Sequence, residues 1–285
     1  MFEHTAAEEV YSAIPVPTWR WTGVNKKAIP KKLAGQEAQT AEIHVKSGES
    51  MEVVLRYREQ GIGAVKAVVE TGGKLDLSVV QIAPHDKERA SSLEIEVAKD
   101  AELRLTIVEA GAKESVSKFI VDLAGDRAKA DIASVYFVDG KRRLDLNYLV
   151  RHRGKETDAS MYIDGALLDE AEKTFRGTLD FVRGSSSSVG REKETVMLLS
   201  PKVRNRSVPL MLSGEGDVDG QHAVSIGKMD EAKLFYLMSR GLDLAEARRL
   251  VVEASFLPVL DRLPEESLRE EIRSYVKRRI GDAAN

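Results

Sequence analysis

A mainly β body followed by an α-helical tail is the fold class that this sequence predicts. Short apolar runs rich in Val, Ile, Leu and Tyr recur at a spacing of roughly 10–15 residues from about Glu42 to Gly227. Gly, Asp, Asn, Lys or Ser stand between them, and no long run with helical periodicity interrupts them. After Met229 the apolar period changes to that of helices. The chain has 285 residues, 42% hydrophobic and 31% charged, which is enough apolar material for a core and argues against global disorder.

Residues 1–40 read as a short N-terminal segment. Glu8 to Ser12 suits a short helical piece ended by Pro15 and Pro17. Trp19-Arg20-Trp21 follows, and Lys26 to Lys32 is a basic loop containing Pro30.

Residues 41–227 form the β body. It opens with Ile43-His44-Val45, followed by Met51 to Tyr57, Ala64 to Val69, Leu75 to Ile82 and Leu93 to Val97. Leu103 to Val108, Phe119 to Leu123, Ile132 to Val138 and Leu144 to Val150 continue it. Met161 to Ile163, Thr178 to Val182, Val196 to Leu199 and Val208 to Leu212 complete the series. LEIEVA and LRLTIVE alternate with period two, as half-buried strands do. Such spacing suits a sandwich, a barrel or a β-solenoid, and so many strands are unusual for one sandwich. Asp169 to Lys173 is read as a helical turn at most.

Residues 228–285 form the helical tail. Asp230 caps a helix through Arg240, with Gly241 as its left-handed C′ residue. Leu234, Phe235, Leu237 and Met238 give that helix its apolar face. Asp243 and Glu246 have capping-box spacing for a second helix bearing Ala247, Leu250, Val251 and Ala254, which Pro258 is expected to end. A third helix starts near Pro264, with acids in its first turn and Lys277, Arg278 and Arg279 in its last.

A net charge of −3 and a pI near 6.1 give no basic excess that asks for nucleic acid or a membrane surface. No apolar run approaches a membrane span, and acids stand where a signal peptide carries bases, so a cytoplasmic protein is expected. The chain has no cysteine, which removes disulfides, thiolate ligands and a cysteine nucleophile. GIGAVK, Gly61 to Lys66, lacks the third glycine of a dinucleotide loop and reads as a turn between strands. Gly227-Lys228-Met229 lacks the Ser or Thr of a P-loop, so no nucleotide is expected on this chain. His4, His44, His85, His152 and His222 form no metal-ligand spacing, and all but His222 are read as structural or solvated. Gly184 to Gly190, a serine-rich run, reads as a flexible turn.

The stretch GDVDGQHAVSIGKMDEAKLFYLMSRG, Gly216 to Gly241, resembles the C-terminal signature of the SufB/SufD family of iron–sulfur cluster assembly proteins. The matching pieces are Asp217-Val218, His222, the small residues Ala223 to Ile226, Gly227, Asp230, Leu234-Phe235-Tyr236-Leu237 and Ser239-Arg240-Gly241. LAEARRLVVEASF is similar to the family's next helix, and the segment from Phe175 to Gly214 to its last β segments. Thr18-Trp19-Arg20-Trp21-Thr22 echoes an element near the start of the family's β region.

The resemblance implies a right-handed parallel β-helix core followed by a C-terminal helical domain. It implies a non-enzymatic subunit that dimerises, as a homodimer or with a SufB/SufD paralogue. It also implies a SufC-type ABC ATPase bound through the C-terminal helices, with Leu234, Phe235, Leu237, Met238, Leu250 and Val251 as docking candidates. His222 matches the histidine that the family places near the dimer interface for cluster building. Scaffold members carry Glu after that histidine, where this chain has Ala223. They also carry a reactive Cys on an earlier strand, where alignment places Glu194. His222 and Glu194 are therefore the candidates for iron, or a labile iron–sulfur cluster, at the dimer interface, with His222 the metal ligand. Carboxylate and imidazole suit iron better than a sulfide-bridged cluster. The chain resembles the SufD side, or a minimal, cysteine-free, archaeal-type member that assists cluster assembly or the admission of iron. Two other readings are a β-solenoid carbohydrate-active enzyme, and a structural solenoid adaptor without metal chemistry.

Overall fold

The computed structural model describes Val10 to Asp282. Its body is a parallel β-solenoid of about six turns. One seven-stranded sheet holds β3 (Ala38–Val45), β5 (Gly61–Val69), β7 (Glu88–Val97), β9 (Glu114–Leu123), β11 (Arg143–His152), β13 (Glu172–Phe181) and β15 (Arg204–Ser213). The other holds β4 (Ser50–Tyr57), β6 (Lys74–Ala83), β8 (Glu102–Gly111), β10 (Lys129–Val138), β12 (Asp158–Leu167), β14 (Ser188–Leu198) and β16 (Val218–Lys228). The solenoid is thus the survivor of the three β architectures that the strand spacing left open.

Alternation within each strand decides which side chains enter the lumen. Leu75, Leu103, Ala130 and Ala159 are successive register partners in one inward row. Leu77, Leu105, Ile132 and Met161 form the next. All eight are buried in one continuous core with Leu93, Phe119, Leu146 and Phe175 from the facing sheet. Burying a side chain of this kind contributes about 1.5–3 kcal/mol, so each coil is held mainly by the coils above and below it.

One corner of the solenoid repeats from coil to coil. Gly48, Gly72, Asp100, Arg127, Glu156 and Ser187 each take a positive φ just before an even-numbered strand. Their amides donate to Thr71, Lys99, Asp126, Lys155, Ser186 and Asp217 carbonyls respectively, at 2.6–3.1 Å. This ladder satisfies the backbone through the bend, so the corner tolerates left-handed residues other than glycine.

Three helices follow: α1 (Glu231–Ser239), α2 (Leu244–Leu260) and α3 (Glu266–Asp282). Asp230 accepts from the Ala232 and Lys233 amides, and Asp243 and Glu246 form the reciprocal capping box. Val252, Phe256, Val259 and Leu260 of α2 and Leu268, Ile272, Tyr275 and Val276 of α3 are buried. They pack on the outer face of the even-numbered sheet, against Val80, Val108, Ala133, Val135, Phe137 and Ala166. Asp139, fully buried, ties Arg142 and the α3 residue Arg279 together at that junction.

Several local expectations are corrected. Val10–Ala13 is β1, paired antiparallel with β2 (Lys26–Ala28), so neither the helical piece nor the plain basic loop holds. Pairing with Lys26–Ala28 supplies the hydrogen bonds that a short isolated helix lacks. The remainder of the expected helical piece, Glu8 and Glu9, lies outside the described residues. Pro258 does not end α2: it sits in the last turn, where only one backbone bond is lost, while Val259 and Leu260 gain burial. Asp169 is a left-handed turn residue between β12 and β13, not a helical turn.

Candidate functional site

Two inward rows that are apolar through the middle coils of the even-numbered sheet change character at the last coils. Met161 is followed in its row by Glu192 and then His222. Ile163 is followed by Glu194 and then Val224. On the facing sheet the row of Leu144 continues with Lys173. Glu192, Glu194 and Lys173 therefore stand where the preceding coil has Met161, Ile163 and Leu144, and His222 continues the Glu192 row.

Room for these groups comes from glycine. A Cβ at Gly177 would overlap the Glu192 carboxylate, and one at Gly165 would overlap the Tyr136 ring. Tyr136 extends past Gly165 to donate to Glu194 Oε1 at 2.9 Å. Lys173 Nζ pairs with the same oxygen and donates to Ser207 Oγ at 3.1 Å. Lys173 and Glu194 are fully buried. Burial pulls the Lys173 ammonium down to about 8, with the Glu194 carboxylate pulling the other way.

Glu192 has no such partner. It is 3% exposed, and neither carboxylate oxygen has a hydrogen-bond partner among the described residues. Burial, and secondarily the Glu194 charge, pushes its carboxyl up to about 8. Glu194 Oε2 is likewise unpartnered.

His222 is exposed on β16, the edge strand of its sheet, and its register partner is Glu192 rather than Glu194. Glu194 lies two residues further along β14, held by Lys173 and Tyr136. The arrangement places an unpartnered carboxylate one strand beneath an accessible imidazole. No group of three His, Asp or Glu side chains converges into a metal cage among the described residues.

Sequence reasoning singled out His222 and Glu194 but missed Glu192, Lys173 and Tyr136. The signal was present: Glu192, Glu194, Val196 and Leu198 alternate, so the apolar end of the run marks the glutamates as inward. His152 is buried, stacked on Phe181, bonded to Thr157 Oγ1 at 2.7 Å and lowered to about 4 by burial.

The docking candidates divide between two environments. Leu234 and Val251 pack partly against the helix–sheet core. Leu237 is half-buried. Phe235 is 75% exposed, Met238 43% and Leu250 44%, joined by Tyr236, Leu244 and Leu257.

A family model described as "SUF system FeS cluster assembly, SufBD core domain" matches residues 31–255, which take in the whole solenoid, α1 and most of α2. The chain belongs to the SufBD family. It is 30% identical over 167 residues to the iron-sulfur cluster assembly protein SufD of Bacillus subtilis, covering 59% of this chain and 38% of that protein. An iron-sulfur cluster assembly SufBD family protein of Mycobacterium bovis is 27% identical over 243 residues, covering 82% of this chain and 61% of its own. One from Pyrococcus horikoshii is 26% identical over 235 residues, covering 81% of this chain and 51% of its own. The chain thus spans between about two fifths and three fifths of these SufBD relatives. No helix among the described residues is long and apolar enough to cross a membrane.

Proposed function

We propose that this SufBD chain is a non-enzymatic component of an iron–sulfur cluster assembly complex, and that its open C-terminal coil is where iron or a labile cluster is handled as cargo. The observation that carries this reading is the row in which His222 stands over the unpartnered Glu192, in a chain without thiolates. Imidazole and carboxylate are donors for iron, and one chain supplies only part of a coordination shell. A second solenoid end placed against β15 and β16 supplies the rest and covers two edge strands that otherwise offer unpaired backbone groups. The partner end is a second copy or a SufB/SufD paralogue. In anaerobic reconstitution of the complex with iron and sulfide, His222→Ala is expected to lose the visible cluster absorbance that the parent develops. Unchanged absorbance would leave His222 a surface residue.

The helices are proposed to hold a SufC-type ABC ATPase, which supplies the nucleotide chemistry that this chain's sequence lacks. Support comes from α1, whose apolar residues Phe235, Tyr236 and Met238 are solvent-facing although the helix is capped at its start. A helix-in-groove contact uses such a surface. Phe235→Asp with Leu250→Asp changes exposed positions only, so the fold is expected to survive while co-purification of the ATPase falls at least tenfold, about 1.4 kcal/mol of binding. Full co-purification by a folded double variant rejects the assignment.

A further inference from the structure

The N-terminal segment carries a second surface, on the sheet opposite the helices. Asn147 Nδ2 of β11 donates to Ser12 Oγ at 2.8 Å, Lys27 pairs with Glu114 of β9, and Leu33 packs on Ile62 and Ala90. Between β1 and β2 the chain bulges into a loop whose tip is a single 3₁₀ turn, Arg20–Thr22.

This loop is braced. The Thr18 amide and hydroxyl donate to Asn25 Oδ1 at 2.7 and 2.8 Å, and Asn25 Nδ2 donates back to the Thr18 carbonyl at 2.8 Å. Thr22 Oγ1 donates to the Trp19 carbonyl at 2.7 Å, and Gly23 closes the turn at φ 67°. What the braced loop presents is apolar. Trp19 is 69% exposed, Trp21 79% and Val16 51%. The two indoles stack with centroids 5.0 Å apart and planes 16° from parallel. Water-facing tryptophans held in place by their own hydrogen-bonded frame are a patch with a purpose, unlike single exposed apolar residues.

The charges within the segment itself have one sign, and the acids that meet it, Glu88 and Glu114, come from the solenoid strands beneath it. Val10 to Gln36 contains Arg20, Lys26, Lys27, Lys31 and Lys32 and no acid, in a chain whose net charge is −3. Arg20, Lys26, Lys31 and Lys32 are exposed, and none makes an ion pair among the described residues. These four exposed cations orient this face toward negative charge.

We propose that this face is a peripheral attachment site for an anionic lipid bilayer, with Trp19 and Trp21 seated at the headgroup–acyl boundary and the cations around them on acidic headgroups. Indole is suited to that boundary because its body is apolar and its N–H polar. Two stacked rings that are 69% and 79% exposed suit insertion better than the wrapping of an extended peptide. Apolar insertion plus basic charge are the two signals that stable peripheral binding requires. This departs from the expectation of no membrane contact, which rested on bulk charge and on the lack of a spanning segment. Neither criterion registers a local patch. Because α2 and α3 cover the opposite sheet, attachment leaves the helices and the last coil free.

Trp19 and Trp21 are the only tryptophans of the chain, so intrinsic fluorescence reports on this patch alone. The full chain should be titrated with vesicles of POPC and of POPC containing roughly 30% POPG, the latter in low and in high salt. The expected result is a blue shift and co-sedimentation with the anionic vesicles only, weakened by salt, and no shift with inorganic phosphate. Lys26→Glu/Lys31→Glu/Lys32→Glu, which keeps both indoles, is expected to lose the shift and about tenfold or more of the partitioning. Trp19→Ser/Trp21→Ser, scored by sedimentation, should lose binding without loss of fold. Absence of a shift with anionic vesicles, equal binding to POPC, or a shift produced only by an added protein would each overturn the proposal.

Discussion

Lys173→Met is expected to lower the unfolding free energy by about 3–5 kcal/mol, because it removes one member of a buried ion pair and strands the other. Both side chains are fully buried, and Lys173 is the only cation paired with Glu194 among the described residues. Tyr136 donates one hydrogen bond to Glu194, which offsets only part of the loss. Met is close to Lys in length and fits a row that Leu144 occupies one coil earlier, so the effect isolates charge from packing. Denaturant unfolding at constant pH measures it. Lys173→Met/Glu194→Leu, which removes both charges, is expected to recover most of the stability, since a buried pair replaced by apolar groups of similar size is often neutral or better. A single variant that loses less than about 1 kcal/mol would show that water reaches the pair and screens it.

That pair also explains where the sequence stops being readable. The strands found by apolar pattern alone are those whose inward residues are aliphatic, such as Leu103 to Val108 and Ile132 to Val138, and each corresponds to β8 or β10. The first halves of β13 and β14 escaped, because inward Lys173, Glu192 and Glu194 break the alternation of apolar with polar that marks a strand. What makes them strands is register with neighbouring coils, a tertiary effect invisible to a window of a few residues. The solenoid itself was legible only through the family resemblance, since spacing by itself also suited sandwich and barrel. The helix starts were legible in full because caps are local: Asp230, Asp243 and Glu246 act within three residues of themselves. The motif singled out His222 but not the carboxylate that faces it. Alignment to a family cysteine pointed to Glu194, but register pairs His222 with Glu192. The family position and the facing position differ by one turn of the strand alternation, and only the structure separates them.

Glu192→Gln is expected to stabilise the fold in a pH-dependent way, and the sign follows from the direction of the shift. Glu192 titrates near 4.5 when solvated and is raised to about 8 in the fold, chiefly because burial disfavours its charge. Between those values the folded chain holds a proton that the unfolded chain has released. Folding stability therefore falls as pH rises through this window and levels off above about 8. At about 1.4 kcal/mol per pK unit, the full loss is about 5 kcal/mol, as an order of magnitude. Glutamine has nearly the same shape and does not titrate, so the variant escapes this loss. The difference in unfolding free energy, variant minus parent, should be small near pH 5 and grow by several kcal/mol toward pH 8.5. Gly177 leaves space for the side chain in either form, so overpacking does not confound the comparison. Parallel stability profiles for variant and parent would mean that Glu192 is ionised and solvated at neutral pH. It would then be an ordinary surface acid rather than a carboxyl held in reserve beneath His222. A growing difference makes Glu192 a group whose burial the fold sustains at a loss of stability, and such groups concentrate where a molecule handles charge.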